Sequence, residues 1–238
     1  MSRRLRLFPL NAVLFPGAVL NLHIFETRYK QMIRECLESG EGFGVALIAE
    51  GAEAGDPNVT PHAIGSIAEI VDVQPLPLGR YFISTVGRQR FKIARIVSRE
   101  PYLLVEAELL DEDAAEEDGD MASLSERVRA LFSEYLRLLV EFSGEEVAVE
   151  LPDDAREASF AIGDSLQIAQ AVKQRLLEVD TTEKRFLAEQ DFLERLLPQL
   201  RRLLARRRKE MLARQERGEG VSYRPDQEKF FGKFFSVN

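Results

Sequence analysis

The chain is poor in the residues on which most covalent and metal chemistry depends. Of 238 residues, one is cysteine, Cys36, and two are histidine, His23 and His62. A single cysteine cannot form an internal disulfide, which fits a reducing, cytoplasmic setting. One cysteine and two histidines cannot complete a zinc site built from two cysteines and two histidines, or from four cysteines. No run approaches the ~20 apolar residues needed to span a bilayer, so no membrane span is expected. No Gly-x4-Gly-Lys-Ser/Thr loop is present to cradle a phosphate chain. The only Gly-Lys pair, Gly232-Lys233, is followed by Phe234. No Gly-x-Ser-x-Gly elbow presents a nucleophilic serine. His23 sits among apolar residues and His62 in a loop, neither with a recognisable catalytic partner. Cys36 falls on the apolar face of a helix and reads as a packed thiol, because activation needs positive charge and access. The expectation is a protein with no catalytic residue, no metal ligand and no cofactor.

Charge is plentiful but unevenly placed. Residues 1–183 carry 18 Lys and Arg against 32 Asp and Glu, a balance of −14. Residues 184–238 carry 14 against 8, a balance of +6. Such polarity steers partners or organises contacts within an oligomer. The stretch Asp111–Asp120 is nearly all acidic, offers nothing to bury and lacks the ligand spacing of an EF-hand. It reads as a solvated linker and divides the chain into two regimes, residues 1–110 and residues 121–238.

Before the linker the period is mostly two. The basic start, Met1–Arg6, reads as the beginning of a strand rather than a signal peptide. Short apolar strands punctuated by Pro16-Gly17 come next, and Phe43–Ala49 is a buried strand. Ile64–Val73 alternates, with Ile67, Glu69, Val71 and Val73 facing one way. Arg80–Val86 and Phe91–Val97 are expected as two strands joined by a turn at Gly87, and Tyr102–Leu109 closes the set. Strands at this spacing suggest a small barrel of about six strands. One helix interrupts them, with Tyr29, Met32, Ile33, Cys36 and Leu37 on one face and Ser39-Gly40 as its stop. The fold class is therefore α+β.

After the linker the period is helical. Leu124, Val128, Leu131, Phe132, Tyr135, Leu138, Leu139 and Phe142 form one stripe. Asp153 or Asp154 is placed to cap a second helix that weakens near Gly163, and Ile168–Leu177 is a short third. Asp180-Thr181-Thr182-Glu183 has capping-box spacing with Asp in the cap position. The long basic helix that follows is expected to kink at Pro198.

Several motifs are distinctive only as an ordered set. The first is Phe8-Pro9-Leu10, then Val13-Leu14-Phe15-Pro16-Gly17, then Phe25-Glu26-x-Arg28-Tyr29. Gly65-Ser66-Ile67-Ala68-Glu69-Ile70, Gly79-Arg80 and Gly87-Arg88-Gln89-Arg90-Phe91 follow. Lys173-Gln174-Arg175-Leu176-Leu177-Glu178 comes last, with Arg185 beyond it. In this order, over roughly residues 5–195, the set resembles the N-terminal substrate-recognition domain of Lon proteases in its stand-alone form. The resemblance implies a PUA-like pseudo-barrel at 1–110 and a helical bundle at 121–238. It also implies that Pro9, Phe15, Pro16, Gly17, Phe25, Glu26, Arg28 and Tyr29 are mainly structural. The partners it implies are unfolded or client polypeptides, a protease, or further copies of the chain.

Two features lie outside the resemblance. Arg201, Arg202, Arg206, Arg207, Arg208 and Lys209 form a basic cluster, either the solvated face of a helix or a partner contact. Phe230-Phe231-Gly232-Lys233-Phe234-Phe235 is apolar enough that docking on the body or on another subunit is expected. The function expected is polypeptide recognition without catalysis. The alternative is an RNA-binding PUA-like protein, which would show a basic barrel face where residues 1–183 are acidic. A third reading is a regulator with a small ligand in a barrel groove.

Overall fold

A computed structural model describes residues 2–51, 58–111, 119–144 and 149–216. The Phe230–Phe235 segment and most of the acidic stretch lie outside the described residues. The chain forms two compact units, residues 1–113 with 170–178, and residues 114–169 with 179–238. Residues 170–178, which the sequence pattern puts in the helical half, pack with the first unit.

The first unit contains β1 (Ser2–Leu10), β2 (Val19–Ile24), α1 (Thr27–Ser39), β3 (Phe43–Glu50), β4 (Thr60–Pro61), β5 (Ile64–Leu76), β6 (Arg80–Ser98) and β7 (Leu103–Leu110). The sheet order is β1-β7-β6-β5-β3-β4. A parallel pairing of β1 with β3 closes the ring, and β2 pairs with β6 outside this path. Closure leaves the central strands without free edges. The α+β class holds, with seven strands rather than six. The additional strand is the two-residue β4, too short to show a period.

Two expectations about individual strands are corrected. Gly87 makes no turn, because Arg80–Ser98 is one 19-residue strand. Its first half pairs with β2 and its second half with β7, while β5 follows it from Arg80 to Lys92. A glycine is needed at the changeover for space. A Cβ on Gly87 would lie 2.0 Å from the Phe15 carbonyl oxygen. The Gly87 N–H donates to Ala18 C=O at 2.8 Å, and Gly17 N–H donates back to Gly87 C=O at 2.8 Å.

The second correction concerns β5. The register with β6 shifts between Ser66 and Ala68 and again between Ile70 and Asp72. Each bulge inserts a residue and reverses the alternation beyond it. Val71 therefore faces solvent while Val73 packs against the core, so the two do not share a side.

Two apolar clusters fill the unit. One gathers Tyr29, Met32, Ile33 and Cys36 of α1 against Phe8, Phe43 and Ile83 of the strands. The rings of Phe8 and Tyr29 stack at 3.9 Å. The other centres on Leu5, Leu7, Phe91 and Val105. β1 serves both clusters, which is why Leu7 and Phe8 are buried in succession rather than alternately. α1 stops at Gly40, whose φ of 67° is left-handed. Burial pushes the Cys36 thiol up to about 11, so it is a packing group.

α4 (Gln170–Glu178) lies on the first unit. The second unit contains α2 (Gly119–Ser143), α3 (Ala155–Ser165) and α5 (Thr182–Glu216). Asp154 caps α3 by accepting the Glu157 N–H at 2.8 Å, and the helix runs past Gly163. α5 starts one residue later than the capping-box spacing suggests. Thr181 Oγ1 accepts the Lys184 N–H at 3.3 Å, and Asp180 instead pairs with the Lys184 ammonium at 2.9 Å. α5 continues through Pro198 as one helix of 35 residues.

α2 packs on α5, and Val128, Phe132 and Tyr135 of α2 and Phe186, Leu193 and Leu200 of α5 are all buried. Where α5 meets α3 sits a fully buried Arg185. Its Nε donates to Ser159 Oγ at 2.7 Å, and its guanidinium lies 3.7 Å over the Phe160 ring. Glu189, one turn on, is also fully buried, and neither carboxylate oxygen has a hydrogen-bond partner among the described residues. Burial holds the Glu189 pKa well above the usual carboxylate range, only partly offset by the Arg185 charge.

Two outcomes follow for stability. Gly87→Ala should destabilise the first unit by about 3 kcal/mol, the upper end for overpacking, because the obstacle is backbone. Gly79→Ala, where a Cβ meets nothing within 4 Å and only the φ of 64° opposes it, should cost about 1 kcal/mol. Denaturant melts of the two variants check the ranking, and equal losses would refute the close-approach account. For Glu189, the folded state holds a proton that the unfolded chain releases above about pH 4.3. Stability from this group is therefore present at low pH and lost as pH rises toward the raised folded value, at no more than about 1.4 kcal/mol per pH unit. Glu189→Gln should flatten the stability–pH curve above the unfolded carboxylate value of about pH 4.3. A slope unchanged from the parent protein would show that Glu189 is not its source.

Candidate functional site

Of the eight motif residues expected to be mainly structural, seven are built into the first unit. Pro9 lies in β1 opposite Ala46, and Phe15 is fully buried. Pro16-Gly17 makes the turn, with Gly17 at φ 82° and Ala18 N–H donating to Phe15 C=O at 3.1 Å. Arg28 Nε donates to the Glu26 carboxylate at 2.9 Å, and its guanidinium lies 4.5 Å over the Tyr29 ring. The Glu26 carbonyl accepts the Lys30 N–H at the start of α1. Phe25 is the exception. It is 57% exposed, with its ring centroid 5.7 Å from that of His23.

The later motifs form a clip between α4 and the strands. Gln174 donates from Nε2 to Ile64 C=O at 3.0 Å and to Glu178 at 2.8 Å. Buried Arg90 donates to Leu177 C=O at 2.6 Å. His62 Nδ1 lies 3.5 Å from the Glu178 carboxylate, so His62 does have a carboxylate neighbour. Gly65 belongs to the same region: a Cβ there would lie 2.2 Å from the Val45 carbonyl oxygen and 2.9 Å from the Phe91 ring. The Lys173–Glu178 motif thus reads as attachment.

Phe25 continues a larger exposed face. Along β2, Leu20, Leu22 and Ile24 turn inward, and Val19, Asn21 and His23 turn outward. Their partners on β6 are Val86, Ser84 and Phe82. Val19 is 66% exposed and Phe82 is 39% exposed. Across β6, the bulge in β5 adds Val71 at 51%. The ion pair of Arg88 and Glu69, at 2.6 Å, borders the face, and β2 itself carries no charged residue. The face offers apolar side chains and short polar groups, suited to contacts with other apolar chains. Among the described residues, no group of three or more His, Cys, Asp or Glu is placed to hold a metal, and no helix is long and apolar enough to cross a membrane.

Sequence reasoning missed this face. The signal was a phenylalanine at the outward position of β6, next to a β2 whose own alternation was clear. The expected break at Gly87 and the unbroken alternation of β5 hid both flanks.

The basic cluster is partly engaged within the second unit. Arg201 bonds Glu134 at 2.6 Å, and Arg208 pairs with Glu141. Arg207 donates to Phe142 C=O and lies 4.9 Å from that ring. Arg202 donates to Pro198 C=O, one turn back on its own helix. Arg206 and Lys209 are exposed, and no ion pair is found for them among the described residues. Exposed pairs of this kind contribute ~0–1 kcal/mol each. Charge on the strands also differs from the expectation. Residues 1–110 carry 12 Lys and Arg and 12 Asp and Glu, so the acidity of residues 1–183 lies beyond the strands. The barrel is neutral rather than acidic.

Comparison with known proteins agrees with this architecture. A Lon N-terminal domain protein of Xanthomonas campestris superimposes with a TM-score of 0.58 at 26% identity, over 82% of this chain and 98% of that one. The N-terminal domain of a Mycobacterium avium complex Lon protease, at 18% identity, shares the fold with the same TM-score over 81% of this chain and 98% of that one. The Lon protease of Brevibacillus choshinensis is 24% identical over 221 residues, which is 91% of this chain and 28% of the protease. That of Flavobacterium johnsoniae is 26% identical over 153 residues, 64% of this chain and 17% of the protease. The chain spans less than a third of the length of these curated relatives. The similarity falls on the substrate-binding part of these enzymes, and the model of the ATP-dependent protease La (LON) substrate-binding domain matches residues 4–195. The chain belongs to the Lon substrate-binding domain family.

Proposed function

We propose that this protein is a non-catalytic polypeptide-recognition module, acting as an adaptor that holds unfolded or damaged chains. The observation that carries the reading is the set of exposed apolar side chains Val19, Phe25, Val71 and Phe82 on one outer face, bordered by Glu69 and Asp72, on a domain of the Lon substrate-binding family. Large apolar side chains left this exposed on a closed barrel mark an interaction surface. Among the described residues, no hydrogen bond joins a serine, threonine or cysteine to His23 or His62, and Cys36 is buried. A buried thiol of this kind suits a cytoplasmic setting. The role assigned to Arg206 and Lys209 is that of a solvated face of α5.

Binding of a labelled, permanently unfolded polypeptide tests this. Saturable binding is expected, and it should survive a rise from low to moderate salt because apolar contacts are not screened. Phe25→Ala and Phe82→Ala should each weaken it about five- to tenfold, the size of an anchor residue's contribution. The opposing reading assigns the cluster to RNA, whose binding falls steeply with salt. Tight RNA binding at moderate salt that is lost on Arg206→Ala with Lys209→Ala, together with no saturable polypeptide binding, would replace this proposal. ATP hydrolysis or peptide cleavage that follows the protein through purification would refute its non-catalytic part.

A further inference from the structure

β2 is a strand of the first unit with a free edge along its whole length. β2 pairs with β6 on one side, and among the described residues no strand pairs on the other. One bond sets the direction of its backbone groups. Gly87 N–H donates to Ala18 C=O, and an antiparallel ladder alternates from there. In the observed register Leu20, Leu22 and Ile24 therefore address Thr85, Ile83 and Tyr81. The Thr85 hydroxyl, which donates to Leu20 C=O at 2.9 Å, agrees with this. Val19, Asn21 and His23 point their N–H and C=O groups away from the sheet. No backbone partner for them is found among the described residues.

Edges of this kind are normally blocked by charge, proline, bulges or cover. Val19–Ile24 contains no charged residue and no proline, and its register with β6 is unbroken. Its outward side chains adjoin Phe25 and Phe82. We propose that the β2 edge accepts an extended segment of an unfolded polypeptide as an added strand, with apolar side chains at alternate positions lying against Val19, His23 and Phe25. The proposal rests on the polypeptide-recognition reading and gives it a site and a mode.

The chemistry of the edge selects the occupant. Its unpaired groups repeat every second residue, about 6.8 Å apart, as donor and acceptor together. An extended peptide backbone matches that pattern, and a phosphodiester chain carries no matching donors. A second copy of this chain is a poorer fit. Self-pairing would engage six residues a side, against about 20–30 in a stable interface. A short, uncharged edge suits weak and sequence-tolerant capture, in which main-chain bonds supply affinity and alternate side chains supply preference.

The test uses the whole chain and a short labelled peptide alternating Val or Phe with Lys or Thr. Two isomers of it are N-methylated, one on the apolar residues and one on the polar residues. An added strand presents only one of these sets of N–H groups to β2. One isomer should therefore lose about tenfold or more in affinity while the other stays within about threefold of the parent peptide. Asn21→Pro should weaken the parent peptide about tenfold as well, because proline is tolerated where an edge N–H faces solvent yet blocks pairing there. The isomers leave the protein untouched, so they decide the matter even where that variant folds poorly. Equal binding of both isomers overturns the proposal and leaves polypeptide recognition standing. Absence of binding by any unfolded polypeptide overturns both. A dimer by light scattering that Asn21→Pro converts to monomer, with no effect of added peptide, assigns the edge to a second copy and also overturns the proposal.

Discussion

The outer face exists because β6 passes Phe15 without interruption. A 19-residue strand in a small barrel must change neighbours along its length, and here it leaves β2 and joins β7 on either side of Gly87. The changeover needs the Phe15 carbonyl to sit where any side chain at position 87 would be, 2.0 Å from the missing Cβ. The Pro16-Gly17 turn brings that carbonyl into place and is itself bonded to Gly87. Turn, glycine and strand are thus one constraint. A side chain at Gly87 would move the turn, and with it the start of β2 and the ladder that carries Val19, Asn21 and His23.

Polar groups inside the molecule divide into two kinds. Those that hold α4 on the strands are mostly satisfied: Gln174 and Arg90 each reach a carbonyl, although Gln174 Oε1 and Ser66 Oγ have no partner among the described residues. In the second unit Arg185 is well bonded, whereas Glu189 is buried beside it without hydrogen bonds. A buried pair is weak support for stability, since desolvation offsets much of its attraction. Glu189 is better read as a cost inside the second unit than as a staple of it. The apolar contacts of Phe132, Tyr135, Phe186 and Leu193 supply the holding force.

The sequence was legible where each residue's role depended on its near neighbours. The face of α1, its stop at Gly40, the cap at Asp154 and the α2 stripe all follow from local rules of spacing. The ordered motifs also pointed to the right family, and with it to a closed barrel followed by helices. Failures came where a distant partner decides. Gly87 looks like a turn because a glycine among strands usually is one, and only the carbonyl of Phe15, 72 positions earlier in the chain, shows otherwise. The bulges of β5 are set by its register with β6, so Val71 and Val73 lie on opposite sides although their spacing puts them on the same one. Net charge misled for a related reason. A sum over residues 1–183 mixed neutral strands with acidic segments beyond them, and so made the barrel look acidic.

This separation of roles sets Phe25, the exposed member of the opening motifs, apart from motif residues that are built into the barrel. A residue that must fill a fixed space, such as Phe15, or hold a fixed bond, such as Arg90, has no freedom left to meet a variable partner. Recognition of many unrelated chains demands the opposite: a surface that fixes geometry through the backbone and leaves side-chain requirements loose. A neutral strand edge beside exposed Val19, Phe25 and Phe82 meets that demand. It asks of a client only that it be extended and carry apolar residues at alternate positions. A folded protein hides both properties and an unfolded one displays them. On the proposed strand-addition mode, selectivity for unfolded chains would follow from the pairing rules of the sheet, without a pocket shaped to any one sequence.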